Sequence, residues 1–178
     1  MGPRGVEPRL GVDIGGVLKQ HRVHERDTRF LASLVDTPPL PGAVSGMARL
    51  AEHFSGRLFI VSKCRVESEA GLLAWLQRNR ILDAAGIGPD RVSFCRERAE
   101  KALHARRLHL THFVDDRLEV LAHLEGVPHR FLMQPDPEEA HRFAAALALV
   151  RQVDSWDELV AILTSPAAGA GDERGLSC

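Results

Sequence analysis

The sequence predicts an α/β fold built around a mostly parallel sheet. Short apolar runs alternate with longer amphipathic stretches, the pattern of repeated βαβ units. Polar residues then recur just where the apolar runs end. RLGVD (9–13) closes on Asp13, RLFIVS (57–62) closes on Ser62, and LTHFV (110–114) runs into Asp115 and Asp116. With RVSFC (91–95) and HRFLM (129–133), these make five predicted strands.

Helical periodicity fills the intervals. Segment 42–54 follows Pro41 and Gly42 and sets Val44, Met47, Leu50 and Ala51 on one face. Segment 66–79 puts Leu72, Leu73, Trp75 and Leu76 on its apolar side, so Trp75 is expected in the core. Segments 97–108, 117–124, 136–150 and 154–164 continue the alternation, the last carrying Trp156 inward. Asp136 opens one of them with Glu138 and Glu139 in the first turn, where acids suit the helix dipole. Ser155 is the expected N-cap of the last. Residues 17–41 are too polar and too long for an ordinary βα loop and predict a small flap over the end of the first strand. Residues 165–178, rich in Gly, Ala and Ser, predict a disordered tail, leaving one domain over 1–164.

Composition excludes several function classes. With 44% hydrophobic and 26% charged residues the chain reads as an ordinary globular protein. A net charge of −1 gives no electrostatic reason to expect nucleic acid or an anionic membrane as partner. No apolar stretch reaches the roughly 18 residues of a membrane span, and the first residues carry no signal-peptide core, so the cytoplasm is the expected compartment. Cys64, Cys95 and Cys178 have the spacing of neither a disulfide framework nor a zinc site. Of 23 basic residues only Lys19, Lys63 and Lys101 are lysines. Where a compact point charge survives an arginine bias, a planar fork is a poor replacement for it.

In a parallel sheet the C-terminal strand ends share one edge, and ligands bind there near the point where strand order reverses. Asp13, Ser62, Asp115 and Asp116 all fall on that edge, with Lys101 at the start of a nearby helix. Together they are the polar equipment for a phosphoryl group and a magnesium ion. The ordered set DIGGVL (13–18), VSK (61–63), Lys101 and FVDDR (113–117) resembles the haloacid dehalogenase-like hydrolase superfamily over about residues 9–133. Receiver domains of two-component signalling use similar residues, but their acidic pair ends the first strand, and here it ends the fourth.

The resemblance implies a Rossmann-like three-layer sandwich with a sheet of five or more strands, order 3-2-1-4-5, and a minimal cap. It implies Asp13 as the nucleophile that becomes an aspartyl-phosphate. Ser62 would bind a phosphoryl oxygen with Lys63 beside it, and Lys101 would neutralise charge on the nucleophile and transferring group. Asp13, Asp115, Asp116 and the Gly15 carbonyl would hold Mg²⁺. Gly15 and Gly16 would let the backbone approach the phosphate closely.

The departure lies at Gly15, where phosphatases of the superfamily carry a second Asp as general acid and base. Glycine can be neither, and such catalysis is worth roughly 10²–10⁴ in rate. Three readings follow: a phosphohydrolase whose acid comes from Lys19, His21, His24 or Lys63; a hydrolase of bonds with good leaving groups; or a non-catalytic protein that binds a phosphorylated ligand or partner. The first two expect a Mg²⁺-dependent enzyme with a phosphorylated substrate. A minimal cap suits a bulky substrate, or a homo-oligomer in which a neighbour closes the site. His109 and His112, three apart, are expected on opposite sheet faces, Cys64 as a small hydrophobe, and Arg96 and Arg98 as a solvated helix start.

Overall fold

The computed structural model describes residues 7–20 and 36–165. Six short strands form one sheet: β1 Leu10–Val12, β2 Leu58–Lys63, β3 Val92–Cys95, β4 His112–Asp115, β5 His129–Met133 and β6 Arg151–Val153. Their order is 3-2-1-4-5-6, and every neighbouring pair is parallel. The helices are α1 Ala43–His53, α2 Val66–Arg78, α3 Ile81–Ala85, α4 Glu100–Arg107, α5 Leu118–Ala122, α6 Pro137–Arg142 and α7 Trp156–Thr164. The expected α/β, Rossmann-like architecture and strand order are present, with one strand added. Among the described residues no helix is long and apolar enough to cross a membrane.

The strands are buried on both faces, which is why they read as continuous apolar runs. Leu10, Val12, Leu58, Ile60 and Val114 join α1, α2 and α7 in one core. Phe59, Val61, Phe113 and Leu132 join α4 and α5 in the other. Trp75 and Trp156 are 0% and 1% exposed, as their helical phase predicts. Removing either ring costs about 3–5 kcal/mol at such depth.

Segment 136–150 is not one helix. The α-helical stretch ends at Arg142, and Ala144–Leu149 continues as 3₁₀ turns. Phe143, Ala146, Leu147 and Val150 keep helical spacing against the second core. The tighter winding delivers Val150 into extended backbone (φ −131°, ψ 152°) and Arg151 into register with Phe131. Strand β6 escapes prediction because only Val153 of its three residues is buried. Helix α3 follows Arg80, whose left-handed backbone (φ 58°) breaks it from α2.

The stems of the predicted flap pair with each other. Leu40 donates its N–H to the Leu18 carbonyl at 2.8 Å, and Gln20 to Pro38 at 3.3 Å. Two buried indoles pin these stems: Trp156 Nε1 donates to the Val17 carbonyl (2.8 Å) and Trp75 Nε1 to that of Thr37 (2.7 Å). Gly46 is required beneath Trp156, because a Cβ there would meet the ring at 2.5 Å. The flap's interior, including His21 and His24, and the tail beyond Ser165 lie outside the described residues.

Candidate active site

The strand order reverses between β1 and β4, and the acids stand at that switch point. Val12 pairs with Val114, so Asp13 and Asp115, each one residue further on, stand level on adjacent strands. The Asp13 N–H donates to the Val114 carbonyl at 3.0 Å, which continues the ladder and fixes this level. Alternation turns both side chains to the face covered by α4.

Lys101 reaches them from α4. The loop before that helix is closed by the Glu100 carboxylate, which accepts the N–H groups of Arg96 (2.8 Å) and Glu97 (3.2 Å). Those two bonds hold the Glu100 pKa below its ordinary value. Lys101 is 2% exposed, and its Nζ donates to Asp115 Oδ2 at 2.7 Å while standing 3.0 Å from Asp13 Oδ1. The contact with Asp13 is an ion pair without hydrogen-bond alignment, so Oδ1 stays buried and unbonded. Asp115 Oδ1 accepts the Arg117 N–H at 3.0 Å.

Asp13, Asp115 and Asp116 bring ligand atoms within 4.8 Å of one another. Within the cluster one buried ammonium, that of Lys101, serves Asp13 and Asp115, while Arg117 Nε stands 3.6 Å from Asp116 Oδ2. Burial pushes the Asp115 pKa well above the usual carboxylate range, and the neighbouring acids add to this despite Lys101. Burial opposes the Lys101 charge, but Asp13 and Asp115 outweigh it and raise its pKa. A hard divalent cation fits this donor set: all-oxygen ligands, an unbonded buried carboxylate oxygen, and charge left to balance.

The other predicted residues occupy the same edge in different ways. Ser62 is the penultimate residue of β2, beside β1, and is 4% exposed, and its hydroxyl bonds no described residue. It alternates onto the face of Ile60, opposite Asp13, and among the described residues no hydrogen bond joins it to the acids. Gly15 forms a bridge with Lys19. Gly16 takes a left-handed backbone (φ 67°) and donates its N–H to the Lys19 carbonyl at 2.8 Å. Its evident work is the turn, since that N–H is already engaged. Lys63 is exposed at the end of β2. Lys19 Nζ lies 6.0 Å from the centroid of the Trp75 ring.

Arg96 pairs with Glu69, and Arg98 with Glu119 at 3.0 Å, so the exposed helix start is laced with ion pairs. Burial raises the thiol pKa values of Cys64 and Cys95 to about 11, consistent with Cys64 as an inert packing residue. His112 lies on β4, but His109 precedes the strand in a left-handed turn (φ 51°), so the pair does not share a strand.

Three residues near the acids were not singled out from sequence. Cys95 is 2% exposed and donates Sγ–H to the Ser62 carbonyl at 3.6 Å. Arg117 lies with Nε 3.6 Å from Asp116 Oδ2 and Nη1 3.9 Å from Glu139 Oε2. The position of Cys95 at a strand end was the only available signal for it. Glu139 had none, because it arrives from the far side of β5.

No protein-family model matches the chain, and no curated protein matches it in sequence. Among solved structures it is similar to a haloacid dehalogenase-like hydrolase from Burkholderia xenovorans, with 22% identity and a TM-score of 0.52. The match covers 76% of this chain and 66% of that one, so it spans just under two thirds of the other protein's length. At that identity the likeness concerns the fold.

Proposed function

We propose that the chain is a Mg²⁺-dependent phosphohydrolase that works through an aspartyl-phosphate on Asp13. The observation that carries this reading is Asp13 itself, at a switch-point strand end, with a buried unbonded oxygen 3.0 Å from Lys101 Nζ. Asp115 and Asp116 supply the further carboxylates for a cation. Bound there, Mg²⁺ would supply the positive charge that lets an anionic carboxylate approach an anionic phosphoryl group.

Asp13 attacks phosphorus, an O–P bond forms, and the leaving group departs with the electron pair of its broken bond. Lys101 holds the nucleophile in place and offsets charge as the group transfers. The Ser62 hydroxyl, which bonds no described residue, would donate to a phosphoryl oxygen. Water then attacks the aspartyl-phosphate, releasing inorganic phosphate and restoring Asp13. Gly15 offers no proton to the leaving group, so substrates that depart unprotonated are favoured: acyl phosphates, phosphoanhydrides and aryl phosphates.

Phosphate release from a panel spanning those classes and alkyl phosphates, with and without Mg²⁺, tests the reading. Metal-dependent turnover of good leaving groups, lost in Asp13→Asn, is expected. Equal turnover by Asp13→Asn would overturn Asp13 as nucleophile. No release from any class would turn the reading to a binding protein for a phosphorylated ligand.

A further inference from the structure

Arg117 stands between two carboxylates and is within hydrogen-bond length of neither. Its Nε lies 3.6 Å from Asp116 Oδ2 and its Nη1 3.9 Å from Glu139 Oε2. Charge-assisted N–H···O bonds settle at about 2.7–2.9 Å, so the guanidinium is shared, with neither bond complete. Glu139 is 11% exposed in its side chain. Its Oε1 accepts the Glu119 N–H at 3.3 Å, which caps the start of α5. Its Oε2 is buried with no hydrogen-bond partner.

The placement of Glu139 is built in. Asp136 Oδ1 accepts the N–H groups of both Glu138 and Glu139 at 2.9 Å, and Pro137 opens the helix. The cap of α5 accounts for one oxygen of Glu139. The other is left beside Arg117, where an unpaired buried carboxylate oxygen is costly unless a donor can reach it.

We propose that Glu139 is a positioning residue for the acidic cluster: Asp116 and Glu139 compete for Arg117, and Glu139 draws the guanidinium away when a divalent cation takes Asp116. The proposal rests on the cation reading above. Arg117 partly neutralises Asp116 while no cation is bound, and closing the last ångström onto Glu139 Oε2 removes a positive charge from the cation's neighbourhood. The affinity of the cluster is therefore set in part from the neighbouring helix α6, through a residue that touches neither cation nor substrate.

The test is titration calorimetry of the full chain with Mn²⁺ and with Mg²⁺, on wild type, Glu139→Gln, Arg117→Gln and the double variant. Gln keeps the carbonyl that caps α5 and deletes only the charge. Glu139→Gln is expected to weaken binding about tenfold, within the range typical of groups that orient metal ligands. Arg117→Gln is expected to tighten it. The double variant should bind like Arg117→Gln alone, because Glu139 acts only through Arg117; two independent electrostatic effects would add instead.

An unchanged affinity in Glu139→Gln, or the same weakening in both backgrounds, overturns the proposal and leaves the cation reading standing. A wild type that binds neither cation overturns both. Should Glu139→Gln fail to fold, Arg117→Gln decides alone: tighter binding supports the competition, and unchanged or weaker binding overturns it.

Discussion

Asp13 and Asp115 stand side by side because Val12 is in register with Val114 across the switch point of a parallel sheet. A hundred residues apart in sequence, they share one buried ammonium, that of Lys101. The acidic cluster is thus a product of strand pairing, and its chemistry follows from how that one cation is divided.

Lys101 should be structural as well as functional. Lys101→Met removes the buried ammonium that pairs with Asp13 and donates to Asp115. Breaking a buried pair from one side typically costs about 3–5 kcal/mol. Urea unfolding of the metal-free variant should show a loss of that order, partly recovered by millimolar Mg²⁺. A loss within error of zero would mean the pair is not formed.

The Asp115 pKa is raised by burial to about 8. A carboxyl raised on folding holds the protonated form, so its contribution is complete below the ordinary carboxylate pKa. It is lost as pH rises through the folded value. Metal-free protein should therefore lose thermal stability between pH 6.5 and about 8, and Mg²⁺ should remove the decline. Asp115→Asn should flatten it without metal; an unchanged slope in that variant would assign the titration elsewhere.

His112 governs the acid side. It stacks on His129 at 4.4 Å and meets Phe54 edge-on at 5.1 Å, at the sheet edge opposite the acids. Burial, with the charges of His129 and His53, lowers its pKa to about 4. A depressed histidine contributes fully above pH 6.5 and loses that contribution as pH falls towards 4. His112→Phe should reduce acid sensitivity over this window by about 1–2 kcal/mol, a figure discounted for partial exposure. The check is urea unfolding at pH 5 and pH 7.

Much of the fold was legible because buried parallel strands write themselves as apolar runs between helical periods. What was missed has physical causes. Strand β6 carries one buried residue, too few for alternation to register. The 3₁₀ turns of Ala144–Leu149 keep the spacing of an α-helix while changing its pitch. In the site, Asp13, Asp115, Asp116 and Lys101 were readable from strand ends and order. Arg117 and Glu139 were not, since their relationship depends on α6 returning beside α5. The candidate acids His21 and His24 lie outside the described residues.

Gly15 can be tested by restoration. Its φ is not among the left-handed values, so the backbone there does not require glycine. Gly15→Asp should raise turnover of alkyl phosphates by up to about 10²-fold and flatten the dependence of rate on leaving-group pKa. No gain on alkyl phosphates would mean that the missing carboxyl is not what limits them.

The most direct test is to trap the phosphorylated residue. Borohydride reduces an aspartyl-phosphate to homoserine, and in the tryptic peptide Leu10–Lys19 Asp13 is the sole acid. After brief exposure to acetyl phosphate and Mg²⁺, that peptide should carry homoserine at position 13, and omission of Mg²⁺ should abolish it. Homoserine at any other position, or unmodified Asp13 while phosphate is being released, would contradict the assignment.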